Sequence, residues 1–193
     1  MLRPPYLTST LARRAERGQS MVEFALSSVV LLLLVGGLVD IGRATYVTES
    51  LSNAAREGAR HGVWFDAPKL SHPYLDDAEI KAAVDAELGT ISLPASVLKN
   101  PTTTCPAPTD GNAYHNPPFA SSAYPSVANE TWLYICYNNT PGVDFTSAAT
   151  NESQQDVNVI VLYSYSPLTP MVATQFGTFH LAANQHMTVQ GNG

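Results

Sequence analysis

Apolar and polar positions divide the chain into three regimes. From Phe24 to Val39 there is no charged residue, and the run holds Val29-Val30-Leu31-Leu32-Leu33-Leu34-Val35, with Met21 and Val22 extending it towards the N-terminus. Beyond Arg43 the pattern turns amphipathic. Val47, Leu51, Ala54, Ala55, Gly58 and Gly62 recur at helical spacing, while Glu49, Ser52, Asn53, Arg56, Glu57 and Arg60 occupy the remaining faces. These two stretches predict one continuous helix over 19–62, ended by Gly62 and the bulky Val63-Trp64-Phe65.

A short surface helix is predicted from Asp76 to Leu88, with Ile80, Val84 and Leu88 on one face and Asp76, Asp77 and Glu79 in its first turn. The Pro-, Thr-, Ser- and Asn-rich span of about 94–125 reads as a long loop rather than as core. Strand signals follow at Thr131–Tyr137, at Asp156–Tyr165 and at Thr178–Val189. In the second, Val157, Val159, Val161, Tyr163 and Tyr165 alternate as on a half-buried strand. The expected fold class is α+β: a long N-terminal helix packed on a small antiparallel sheet of two or three strands. Three segments result, a basic leader over 1–18, the helix over 19–62 and a globular domain over 63–193.

The length of the apolar run points to a membrane. On a helix Arg17 and Arg43 stand ~39 Å apart, close to the thickness of a bilayer with its headgroups. Asp40 sits just inside the far arginine as its i, i+3 partner. The transmembrane part is then about 21–41. An ordinary secretory signal peptide is the alternative, but the run is longer than the usual apolar core and the small-residue cleavage pattern after it is poor.

Charge sets the direction. Four of the ten basic residues, Arg3, Arg13, Arg14 and Arg17, precede the run and only Glu16 opposes them, leaving six bases against fifteen acids beyond Gly18, a net charge of −9 there. The positive flank predicts a cytoplasmic N-terminus and an exported C-terminal domain. No basic stripe survives to neutralise phosphates, so nucleic acid is not expected as a partner. Cys105 and Cys136 lie on one side of the run, and form a disulfide if that side is oxidising; two buried thiols are the alternative.

Glu23 is an acid ~9 Å inside Arg17, at the edge of the hydrocarbon, where an unpaired carboxylate is costly. Snorkelling to the interface or to Arg17 is one answer. The other begins at Gly18: cleavage on its C-terminal side makes Gln19 the new N-terminus, puts Glu23 at the fifth position and creates an amine that can pair with Glu23 of a neighbouring chain.

Gly18, four residues and then Glu23-Phe24 ahead of an apolar helix resembles the processing site of type IV pilin-like proteins, in the Glu-Phe variant of the Flp/Tad pilus system. With Asp40-Ile41-Gly42-Arg43 and Asn53-Ala54-Ala55-Arg56-Glu57-Gly58-Ala59-Arg60, the stretch resembles the TadE-like pseudopilin family. The resemblance implies cleavage between Gly18 and Gln19 by a prepilin peptidase, an integral-membrane aspartic protease, and a role for Glu23 and Phe24 in assembly. It implies as partners other pilins and the inner-membrane Tad assembly proteins. Where the family often carries a proline just beyond the Glu, this chain has Ser27-Ser28-Val29, whose hydroxyls can bond back to the preceding turn. Tyr163 to Met171 also looks like a TadE-like stretch, whereas 64–150 carries no resemblance.

The small residues Ala54, Gly58 and Gly62 have two readings: docking on the chain's own sheet, or contact with neighbouring subunits. No catalytic motif is present, and His61, His72, His115, His180 and His186 are scattered without organised partners, so neither an enzyme nor a metal or cofactor is expected. Two functions fit: a pseudopilin or minor pilin of a Tad-type pilus, engaged in assembly, initiation or adhesion, and a permanently anchored single-pass protein whose exported domain binds a partner.

Overall fold

The structure is a computed structural model that describes residues 8–63, 76–99, 103–111, 115–137, 140–141 and 156–188, with the backbone alone for 8–18 and 140–141. Its elements are α1 (Thr8–Gly62), α2 (Asp77–Thr90), β1 (Val97–Leu98), β2 (Thr131–Tyr137), β3 (Thr140–Pro141), β4 (Asp156–Tyr165), α3 (Pro170–Phe176) and β5 (Phe179–Thr188). The chain forms two compact units, one ending at Gly42 and the other beginning at Arg43. The fold class is α+β.

The first unit contains the apolar part of α1. Met21, Phe24, Leu32 and Leu38 are each more than two-thirds exposed, and Gln19–Gly62 contains a window long and apolar enough to cross a membrane, of which 6% is buried. A helix so apolar and so little covered is unstable in water, and lipid or other helices would cover it. Ser28 Oγ donates to the Ala25 carbonyl at 2.8 Å, the back-bond anticipated where the family often has proline.

In the second unit the sheet has the order β1-β2-β4-β5, with β3 paired to β2. Antiparallel pairing runs from Thr131↔Tyr163 to Tyr137↔Val157 and from Asp156↔Thr188 to Tyr165↔Phe179. The expected antiparallel core is therefore present, but β1 adds a short parallel edge through Val97↔Trp132. Lys99 N donates to the Leu133 carbonyl at 2.9 Å and extends that pairing, which no alternation in the local sequence announces.

The strand face that carries Leu133, Ile135, Tyr137, Val157, Val159 and Val161 meets Leu51, Ala54, Ala55 and Ala59 of α1 and Ile80, Val84 and Leu88 of α2 in one core. The helix expected at the surface is thus corrected to a core element on its apolar face, because α1 and the sheet close over Ile80, Val84 and Leu88. Asp76 caps it, its carboxylate accepting from Ala78 N at 2.9 Å and Glu79 N at 3.2 Å. Asp85 ties the other half of α2 to the following turn: it accepts from the amide and the hydroxyl of Ser96, each at 2.7 Å, and from Lys81 Nζ.

Two further expectations are corrected. β4 is not half-buried: Asn158, Ile160, Leu162 and Ser164 on its second face are covered as fully as the valines on the first. Part of the cover comes from the span read as loop rather than core, where Phe119 and Tyr124 are buried in a second cluster with Tyr134, Cys136, Ile160 and Leu162. The Cys105–Cys136 disulfide, Cα–Cα 6.2 Å, pins this cover to β2. Tyr134 OH donates to the Ala123 carbonyl at 2.9 Å and Ser164 Oγ to the Pro125 carbonyl at 2.6 Å, so the cover is fastened by polar groups of the sheet as well as by apolar contact.

Candidate processing and assembly segment

Gly18, Gln19, Glu23 and Phe24 all lie on α1, within two turns. Glycine is among the poorest residues for a helix interior, so the Gly18–Gln19 link is a weak point of the helical backbone. Gln19 Nε2 donates to Glu23 Oε1 at 3.2 Å across one turn, both groups being exposed. Gln19, Ser20 and Ser27 stand one turn from Glu23 on its own side, while Met21, Val22 and Phe24, 77%, 60% and 76% exposed, make the flanking faces apolar. The arrangement therefore presents one exposed carboxylate at the polar start of an apolar helix, held by a neutral amide of the residue at which a processed chain would begin. An ammonium at that position would be a stronger, charge-assisted donor than the amide.

The small residues of the amphipathic half stand elsewhere. Ala54, Gly58 and Gly62 are buried inside the chain's own folded unit. A Cβ on Gly58 would meet Val84 at 2.5 Å and Val159 at 3.2 Å, and one on Gly62 would meet Ile80 at 2.9 Å and Val157 at 3.4 Å. This is the docking reading, and it leaves these three residues no surface for a neighbouring subunit. On the exposed side Glu57 accepts from Arg60, at 2.6 Å and 3.1 Å, and that bond holds the Glu57 carboxyl below its ordinary range despite opposing desolvation.

Several contacts in the folded unit carry no linear signal. Arg43 lies over the Tyr165 ring, 5.7 Å from its centroid. Asn129, at φ 60°, accepts from Tyr163 OH at 3.2 Å and from Ser166 N at 3.1 Å. Asparagine is one of the few residues that tolerate the left-handed region, which is the one cue the sequence offered. On the second face of the sheet Asn158 Nδ2 donates to the His115 carbonyl at 3.0 Å and Asn184 pairs with Asn116, beside a cavity of about 540 Å³ that His186 also lines. Burial pushes the His186 imidazole below its usual value. Tyr124 and His180 stack, centroids 4.3 Å apart, on the same face. Among the described residues, no three His, Cys, Asp or Glu side chains converge as a metal site.

Neither the curated proteins nor the solved structures provided a match to the chain. A family model does match, over residues 18–60, and its description is TadE-like protein. Its first residue is Gly18, and it takes in Glu23, Phe24 and the Asn53–Arg60 stretch. The family read from those residues is thereby found independently: over 18–60 the chain is similar to TadE-like proteins.

Proposed function

We propose that this chain is a pseudopilin or minor pilin of a Tad-type pilus, cut between Gly18 and Gln19 by a prepilin peptidase and packed into an assembly through the helix that then begins at Gln19. A TadE-like segment supports a Tad-pilus-associated minor pilin role in general terms. The observation that carries the finer reading is the placement of Glu23: five positions from the cut, exposed, at the start of a long apolar helix. Its charge has no favourable place in hydrocarbon without a cation. The N-terminal amine of a neighbouring processed chain is that cation, and pairing the two registers one helix against the next.

The basic leader and the positive-inside rule assign the N-terminus to the cytoplasm and the folded unit to the far side of the inner membrane. The Cys105–Cys136 bond supports that assignment, since disulfides persist in oxidising compartments. The role is structural, not enzymatic. Major subunits of the resembled system are little more than the helix, so a chain with this folded unit initiates, caps or decorates a filament instead of forming its bulk.

Glu23→Gln separates assembly from processing. Processing at Gly18 should proceed while the variant's share of the sheared pilus fraction falls at least tenfold. Normal incorporation of the variant contradicts the pairing role. Absence of the native chain from every pilus fraction and unchanged piliation on its deletion would favour the permanently anchored binding protein instead.

A further inference from the structure

The sheet register identifies which end of the folded unit receives the chain from the apolar run. Gly62 packs by Val157, Gly58 by Val159 and Arg43 by Tyr165, so β4 runs antiparallel to this part of α1 and its Tyr165 end is the Arg43 end. One residue, Gly42, separates Arg43 from the apolar Ile41. Arg43 opens the folded unit, so the chain enters the unit at this end.

The same end carries the β4–β5 connection, and its apolar side chains face solvent. Leu168 is 67% exposed, Met171 53%, Phe176 70% and Phe179 40%, with the two phenylalanine rings stacked at 6.5 Å between centroids. Pro170 starts α3 and Gly177, at φ 69°, ends it, so the protruding turn has a defined shape. From Val157 to Gly193 there is no Asp, Glu, Lys or Arg, in a chain otherwise strongly acidic beyond its leader. Pro167 and Leu168 share a depression of about 510 Å³ with Arg43 and the exposed Tyr46. Exposed aromatic and aliphatic side chains, a tyrosine and one arginine, without an acid among them, are the composition of a surface that sits among lipid headgroups.

We propose that Leu168, Met171, Phe176 and Phe179, with Tyr46 and Arg43, form a docking surface for the lipid bilayer that holds α1. The proposal rests on the reading of α1 as a membrane anchor. Anchoring makes the contact effectively intramolecular, so a few side chains suffice to hold it, and it stays weak enough to release when the chain is withdrawn. The docked unit is the resting state of the membrane-held subunit.

The test uses the full chain in vesicles of phosphatidylcholine and phosphatidylglycerol, with and without brominated acyl chains, and reads tryptophan quenching after subtraction of the unsubstituted chain, which holds Trp64 and Trp132. Phe176→Trp and Phe179→Trp probe the surface. Thr188→Trp, nine residues along β5 and ~30 Å away, is the remote control; Leu33→Trp reports the anchor. The expected result is quenching of both surface probes at least threefold stronger than that of Thr188→Trp, with Leu33→Trp also quenched. Quenching of Leu33→Trp alone overturns the docking surface and leaves the anchor standing. No quenching at any position overturns both. Surface probes silent to bromolipid, but blue-shifting as protein-to-lipid ratio rises, overturn lipid docking in favour of a second copy.

Discussion

Gly58 of α1 and Val84 of α2 are in such close approach that a β-carbon on the glycine would stand 2.5 Å from the valine Cγ2. Val159 closes the other side at 3.2 Å. The glycine is there because helix, helix and sheet meet at one point, and its conformational cost is offset by the burial this allows.

Substitution at this point is therefore expected to destabilise. Gly58→Ala gains helix propensity but overpacks a β-branched neighbour, for a net loss of about 1–2 kcal/mol. Gly89→Ala, near the end of α2 with nothing within 4 Å of its added carbon, should gain about half a kcal/mol. Thermal unfolding of the detergent-solubilised full chain, followed by near-ultraviolet dichroism, checks both signs.

The disulfide closes a loop with a sequence separation of 31. Its removal in a Cys105→Ala/Cys136→Ala variant is expected to cost roughly 3.5–4 kcal/mol in the chain-entropy model. Because the bond fastens the Phe119–Tyr124 cover to β2, hydrogen exchange should rise first across 103–125 and at β2, before the contact of α1 with the sheet is lost. Uniform exchange across the unit would contradict that order.

Acid should weaken the α2 attachment with a definite sign. Burial pushes the Asp85 carboxyl up, but the hydrogen bonds from Lys81 and from the Ser96 hydroxyl and amide outweigh it and hold the folded pKa below the ordinary aspartate value. A depressed folded pKa means that the unfolded chain binds the proton more readily, so this stability is present above the unfolded value of ~3.9 and is lost as pH falls through the folded one. Asp85→Asn should cost about 1–2 kcal/mol at neutral pH. The gap between variant and native chain should narrow as pH drops from about 5 towards 2. A pH-independent gap would remove Asp85 from this role.

What could be read from the chain follows the range of the interactions. β2 and β4 are legible because each is a short stretch rich in β-branched and aromatic residues, and the α1 face because burial against one surface imposes the helical period. The second core was not legible. Phe119 and Tyr124 are single aromatics among prolines and serines, and what buries them is the other face of β4, supplied 40 residues later. β1 is two residues held by main-chain bonds, which leave no side-chain signature. The candidate processing segment is the reverse case: Gly18, Gln19, Glu23 and Phe24 lie next to one another along the chain, so their spacing is visible without the fold. The burial of Gly58 and Gly62 against Val84, Ile80, Val157 and Val159 needed the structure, because small residues on a helix stripe look alike whether they face a sheet or a neighbour.

N-terminal sequencing, with intact mass, of the membrane-associated protein from cells with an active prepilin peptidase reads the cut itself. The expected result is a chain that begins at Gln19, with Glu23 fifth. A chain that retains Met1 through Gly18 in those cells would contradict it.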